Sequence, residues 1–165
     1  MIQRVQTIFL LLISVCMGTV LAYYIWTGRA DEQNQVMSLS AFSIEVIDTN
    51  GTLSDFSDDT VLESRGTWYI GVLAILASLT ALVSVFQYKN RLNQMKLGAL
   101  NSLFMVATLG LSYFNISQLE GIAPEVQGAP QLGFYLPVAG LLFNMVANRF
   151  IRRDEKLVKS VDRIR

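Results

Sequence analysis

The sequence predicts an all-α membrane protein: a bundle of four transmembrane helices, both termini cytoplasmic, with a small β-hairpin in the outer loop between helices one and two. Three observations lead there. Of 165 residues, 52% are hydrophobic and only 16% charged, well below the roughly 25% charge of an ordinary soluble domain. The apolar residues gather in four long uncharged runs, each able to cross about 30 Å of hydrocarbon at about 1.5 Å per residue. The charges, finally, are sorted by sign to alternate sides of those runs.

The first run has no charge over the 24 residues between Arg4 and Arg29. A cleaved signal peptide is the competing reading, because Arg4 is a basic start and Val20, Leu21 and Ala22 resemble a cleavage site. The run is longer than the roughly 7–15 residues of a signal core, so an uncleaved helix over 7–26 is expected. A lipoprotein anchor at Cys16 fails because Val15 stands where a small residue is needed. Three more uncharged windows, 66–88, 97–119 and 126–148, predict helices over 67–86, 97–117 and 132–150. The last begins in a Gly/Pro-rich approach. The chain thus reads as one membrane domain, 1–165, with an outer loop over 27–66 and a tail over 151–165.

Charge sets the expected orientation. Four spans put both ends and the loop carrying Lys89, Arg91 and Lys96 on one side, with eleven basic residues against three acidic ones, a net of +8. The other side carries Arg29 and Arg65 against ten acids, a net of −8. Basic loops stay in the cytoplasm, so both termini are expected there. Tyr23, Tyr24, Trp26, Trp68 and Tyr69 would then form an aromatic belt at the outer ends of helices one and two.

In the outer loop, Phe42, Ile44 and Val46 alternate with Ser43, Glu45 and Ile47, a strand pattern. The run Asp48-Thr49-Asn50-Gly51 supplies a tight turn, since Asn-Gly tolerates positive φ, and 52–56 is expected to return as the second strand. The acids Asp48, Asp55, Asp58 and Asp59 lack the spacing of a calcium loop and read as a solvated surface. The segment 118–131, punctuated by Gly121, Pro124, Gly128 and Pro130, reads as a plain connector between helices three and four.

Beyond Asn148 the fourth helix is expected to leave the membrane as an amphipathic tail. Leu157, Val161 and Ile164 lie on one face, while Arg152, Arg153, Lys156, Lys159 and Arg163 are positioned to touch lipid headgroups or a partner. Nucleic acid is not an expected partner, because the tail carries no aromatic residue beyond Phe150.

In the interior of the proposed spans there is no Asp, Glu, Lys, Arg or His, which argues against proton-coupled transport through buried carboxylates. The absence of histidine removes the usual zinc, haem and Ser-His chemistries, and the lone Cys16 excludes a disulfide scaffold. No enzyme, cofactor or metal is expected. Gly71, Ala74, Ser78 and Ala81 follow a 3, 4, 3 spacing on helix two, the pattern of a close helix–helix contact. Asn101, Asn144 and Asn148 are the polar residues placed to bond across the bundle or to line a small polar pocket, and Pro137 either starts or kinks helix four.

The opening Met1-Ile2-Gln3-Arg4-Val5-Gln6-Thr7, running straight into a Leu-rich helix, and the closing Asn148-Arg149-Phe150-Ile151-Arg152-Arg153-Asp154-Glu155-Lys156-Leu157-Val158-Lys159-Ser160 with Asp162-Arg163 resemble a family of small bacterial four-span inner-membrane proteins classed as a domain of unknown function. The resemblance spans essentially the whole chain and implies a Gram-negative inner-membrane protein, with no activity or catalytic residue attached. An outer hairpin between the first two spans is also similar to claudin-like four-span proteins, although their paired cysteines are missing. The expected function is a non-enzymatic accessory subunit or assembly factor of a larger membrane complex, in contact with lipids and a membrane-protein partner. The alternative is a small-solute carrier, channel or lipid-binding membrane protein.

Overall fold

The computed structural model describes residues 2–30, 35–49, 60–88, 90–122 and 126–162. In chain order the elements are α1 (Ile2–Thr19), β1 (Trp26–Ala30), β2 (Gln35–Leu39), β3 (Ser43–Asp48), β4 (Thr60–Gly66), α2 (Trp68–Phe86), α3 (Arg91–Ile122), β5 (Gln127–Pro130) and α4 (Leu132–Asp162). The fold is therefore not an all-α bundle with a hairpin. Four helices carry an open five-stranded antiparallel sheet of order β4-β3-β2-β1-β5.

The helices form a four-cornered bundle in which α1 packs on α2 and α4, and α3 on the same two. Its inner face is made of Leu10, Ile13, Met17, Ala74, Ala77, Ala81, Met105 and Ala147, all essentially inaccessible. Neighbours run antiparallel. Gln6 near the start of α1 bonds Gln94 near the start of α3, Gln94 bonds the Ser84 carbonyl near the end of α2, and Arg91 of α3 pairs with Asp154 late in α4. The two terminal helices thus begin and end at the end of the bundle remote from the sheet. Three helical stretches, Trp68–Phe86, Arg91–Gly121 and Leu132–Val158, are long and apolar enough to cross a membrane; the apolar part of α1, Val5–Thr19, is shorter.

That shortening corrects the first expected span. The helix expected over 7–26 ends at Thr19, and the chain turns through 20–25 into β1. Trp26, expected in an interfacial belt, is instead fully buried in the core that joins sheet to bundle, among Ile25, Met37, Leu39, Ile70 and Ile116. Tyr23, Tyr24 and Trp68 are exposed, whereas Tyr69 is half-buried and donates to Asn115 Oδ1 at 3.0 Å.

The expected hairpin is corrected as well. The strand read at Phe42–Ile47 is present as β3, but it pairs with β2 (Val46 opposite Met37) and β4 (Val46 opposite Glu63), not with a strand at 52–56. All of 52–56, the Asn50-Gly51 turn, and Asp55, Asp58 and Asp59 lie outside the described residues. A register shift between Val46 and Ile47 leaves Leu62 of β4 without a partner, a bulge of the kind common near sheet edges. The connector read at 118–131 is corrected in the same way: its last residues form β5, paired with β1. Pro130 is tolerated because β5 is an edge strand.

Backbone hydrogen bonds weld the sheet to the helix starts. The first four N–H groups of a helix have no partner inside it. In α2, Gly71 N donates to Ala41 O at 2.9 Å, while the preceding Thr67 N donates to Phe42 O at 2.8 Å. In α4, Gly133 N donates to Tyr24 O at 3.0 Å, and just before it Gln131 N donates to Ile25 O at 2.9 Å. The Phe42 ring covers Gly71 where any Cβ would collide with it.

Candidate functional site

Of the small residues on α2, Ala74 and Ala81 are completely buried and Gly71 is buried beneath Phe42. Ser78 faces α1: its hydroxyl donates to the Ser14 carbonyl at 3.0 Å, and the two hydroxyls lie 3.0 Å apart. The stripe therefore has two partners, the sheet at Gly71 and α1 at Ser78.

The inner face of α3 is polar along most of its length, with Gln94, Asn101, Thr108, Ser112 and Asn115 all buried. Such groups must be bonded or they lose their hydration for nothing. Thr108, Ser112 and Asn115 bond carbonyls one turn back on their own helix. Gln94 accepts from Gln6 at 3.3 Å and donates to Ser84 O at 2.8 Å. Asn101 is the exception, since neither its oxygen nor its nitrogen has a partner among the described residues.

Asn144 and Asn148 both meet α3 at Gly98. Asn144 Nδ2 donates to Gly98 O at 2.7 Å and to Ser102 Oγ at 2.6 Å. The Asn148 amide lies against the bare Cα of Gly98, where a Cβ would overlap it. Asn144 and Asn148 therefore act together, while Asn101 is separate. Gln6 and Gln94 were not among the residues the sequence singled out. The signal for Gln94 was the heptad interval from Gln94 to Asn101 to Thr108, a polar seam on the face that also carries Met105; Gln6 has no such signal.

Outside that seam, an open groove of about 940 Å³ runs along α4, with Ser102 of α3 in its lining. Leu141, Leu142 and Met145 line one end, and Ser102 with Asn148 forms a polar floor. Arg149, Arg152, Arg153 and Lys156 line the other end, and no acidic residue lines it among the described residues. Asp154 is turned away to Arg91, 2.9 Å from the guanidinium though not aligned as a hydrogen bond. Arg152, Arg153 and Lys156 were expected as tail contacts; Arg149 and the apolar wall were not. The Lys159 and Arg163 side chains lie outside the described residues. Among the described residues, no cluster of His, Cys, Asp or Glu is suited to a metal.

Residues 2–164 match a family model described as Domain of unknown function (DUF4293). The chain belongs to this DUF4293 family. No curated protein and no solved structure matches it. The described fold thus gives DUF4293 a concrete form, a four-helix bundle capped at one end by a five-stranded sheet, with the Gln6–Gln94 pair and the basic groove towards the opposite end.

Proposed function

We propose that the protein is a non-enzymatic integral membrane protein of the bacterial inner membrane, an accessory subunit or assembly factor of a larger complex, with both termini cytoplasmic. Three long apolar helices support the membrane placement. The +8 side of the sequence coincides with the end of the bundle where α1 begins and α4 leaves, which supports the orientation.

The observation that carries the accessory role is β4. It is a terminal strand of the sheet, and all seven of its residues, including Val61 and Leu62, are exposed. Soluble proteins normally shield such an edge, and an exposed one is a template for an added strand. A partner's extended segment would complete the sheet as a sixth strand beside β4. A photo-crosslinking residue at Ser64, activated in native membranes, is expected to trap one partner, and Val61→Lys with Leu62→Lys is expected to abolish the adduct. Absence of any adduct in native membranes would reject this role.

A second reading, a solute carrier or channel, is favoured by the amide of Asn101, buried in the bundle with no partner among the described residues. It requires that purified, partner-free protein move a defined solute in proteoliposomes and lose that activity with Asn144→Leu and Asn148→Leu.

A further inference from the structure

We infer that the groove between α3 and α4 is a binding site for one anionic glycerophospholipid of the leaflet that faces the chain termini. The inference rests on the membrane placement proposed above, but not on the accessory role.

The groove is graded along one helix. Its α4 lining residues, from Leu141 to Lys156, fall on a single stripe that advances by three or four residues per turn, about 22 Å of helix at about 1.5 Å per residue. The first part is apolar, and Leu142 and Met145 are exposed at 54% and 64%. Within one turn the stripe becomes polar at Asn148, and then cationic from Arg149 to Lys156. An amphiphile has the same order: chain, ester and glycerol oxygens, then charge. The apolar wall faces an acyl chain, Ser102 and Asn148 lie at the depth of the glycerol backbone, and the cations meet the phosphate.

Charge complementarity selects the headgroup. Arg149, Arg152, Arg153 and Lys156 are all exposed, and among the described residues no carboxylate lines the groove with them. Four cations lining one groove disfavour the cationic choline or ethanolamine group and favour a net negative head. Guanidinium groups bind phosphate oxygens through paired, charge-assisted hydrogen bonds. Basic pockets between transmembrane helices at the cytoplasmic surface take acidic phospholipids for this reason. The volume lies within the roughly 300–1,000 Å³ of ligand pockets, which suits a headgroup with the upper part of its chains. An acidic partner helix would satisfy the charges but would leave the apolar end of the groove without a counterpart.

The test uses the full chain, reconstituted in phosphatidylcholine vesicles with a minor fraction of phosphatidylglycerol, then extracted in mild detergent and weighed by native mass spectrometry. The expected result is one retained phosphatidylglycerol and no retained phosphatidylcholine. Arg152→Gln with Arg153→Gln should lower retention about tenfold, as should the independent pair Arg149→Gln with Lys156→Gln. Lys96→Gln, an exposed cation of α3 outside the groove, should leave it unchanged. All the substituted side chains are exposed, so a thermal transition unchanged from the parent confirms that each variant is folded. Equal retention of both lipids, equal retention by the charge variants, or full displacement by water-soluble glycerol phosphate would overturn the site. Loss of a co-purifying protein in the charge variants, with lipid retention intact, would assign the cluster to a protein partner and overturn it as well. Pelleting after carbonate extraction reads the membrane placement by itself, so its failure is distinguishable from failure of the site.

Discussion

Gly28 of β1 and Gly128 of β5 are register partners, and the indole of Trp26 lies across both, so that a Cβ on either would overlap the ring. The pair brings together segments one hundred residues apart and leaves Trp26 wholly inaccessible. Gln131 Nε2 donating to Thr27 Oγ1 at 2.8 Å closes the same junction.

Replacing Gly128 or Gly28 with Ala is therefore expected to cost about 1–3 kcal/mol, the usual range for overpacking a filled site. Trp26→Ala is expected to cost about 3–5 kcal/mol. Thermal unfolding gives the stability, and in a Trp68→Phe background the emission of Trp26 should shift to the red in Gly128→Ala. An unshifted spectrum would mean the ring does not depend on the bare glycine.

Close packing on α2 leads to a second expectation. Ala74→Leu or Ser78→Leu should destabilise the bundle by about 1–3 kcal/mol, the second also breaking the bonds to Ser14. Leu79→Ala, on the exposed side of the same helix, should change stability far less. Comparable melting temperatures for all three variants would place the stripe on the outside.

The two classes of buried amide separate cleanly. Asn144→Leu removes bonds to Gly98 O and Ser102 Oγ and should cost about 1–2 kcal/mol. Asn101→Leu breaks no bond among the described residues, and replacing an unpaired buried amide by an apolar group should be neutral or stabilising. A marked loss of stability in Asn101→Leu, read by thermal unfolding, would mean that this amide is bonded to something other than the described chain.

The pair between Arg91 and Asp154 fixes the last turns of α4 to the start of α3. Both side chains are partly exposed, at 21% and 14%, so Asp154→Asn should cost no more than about 1 kcal/mol globally. Its effect should be local: faster amide exchange over 151–158, with the sheet unaffected.

Orientation is open to direct labelling. Reporters fused at Arg165 or inserted near Lys96 should read as cytoplasmic, and a cysteine near Asn50 should react with an impermeant reagent from outside. Labelling of the Lys96 region from outside would overturn the four-helix topology.

Consecutive residues suffice to reveal four helices, though not the end of the first, together with the sorting of charge and the alternation that makes β3. These are local properties: uncharged length, the spacing of small and polar residues, and a period of two are written in consecutive residues. The sequence also isolated Asn144 and Asn148, since an amide in an apolar run has few alternatives to a partner on the next helix. The sheet was another matter. Trp26-Thr27-Gly28-Arg29-Ala30 continues an apolar run and looks like its end, and Gln127-Gly128-Ala129-Pro130 has the composition of a turn, with poor strand propensity. Each becomes a strand only because the other supplies backbone partners and two facing glycines admit the Trp26 ring. The groove likewise needed the tertiary structure: Arg149 and Met145 are unremarkable on one helix, and only the approach of Ser102 on α3 gives them a shared cavity. Pairing and cavities belong to two segments at once, and no local window of one sequence contains both.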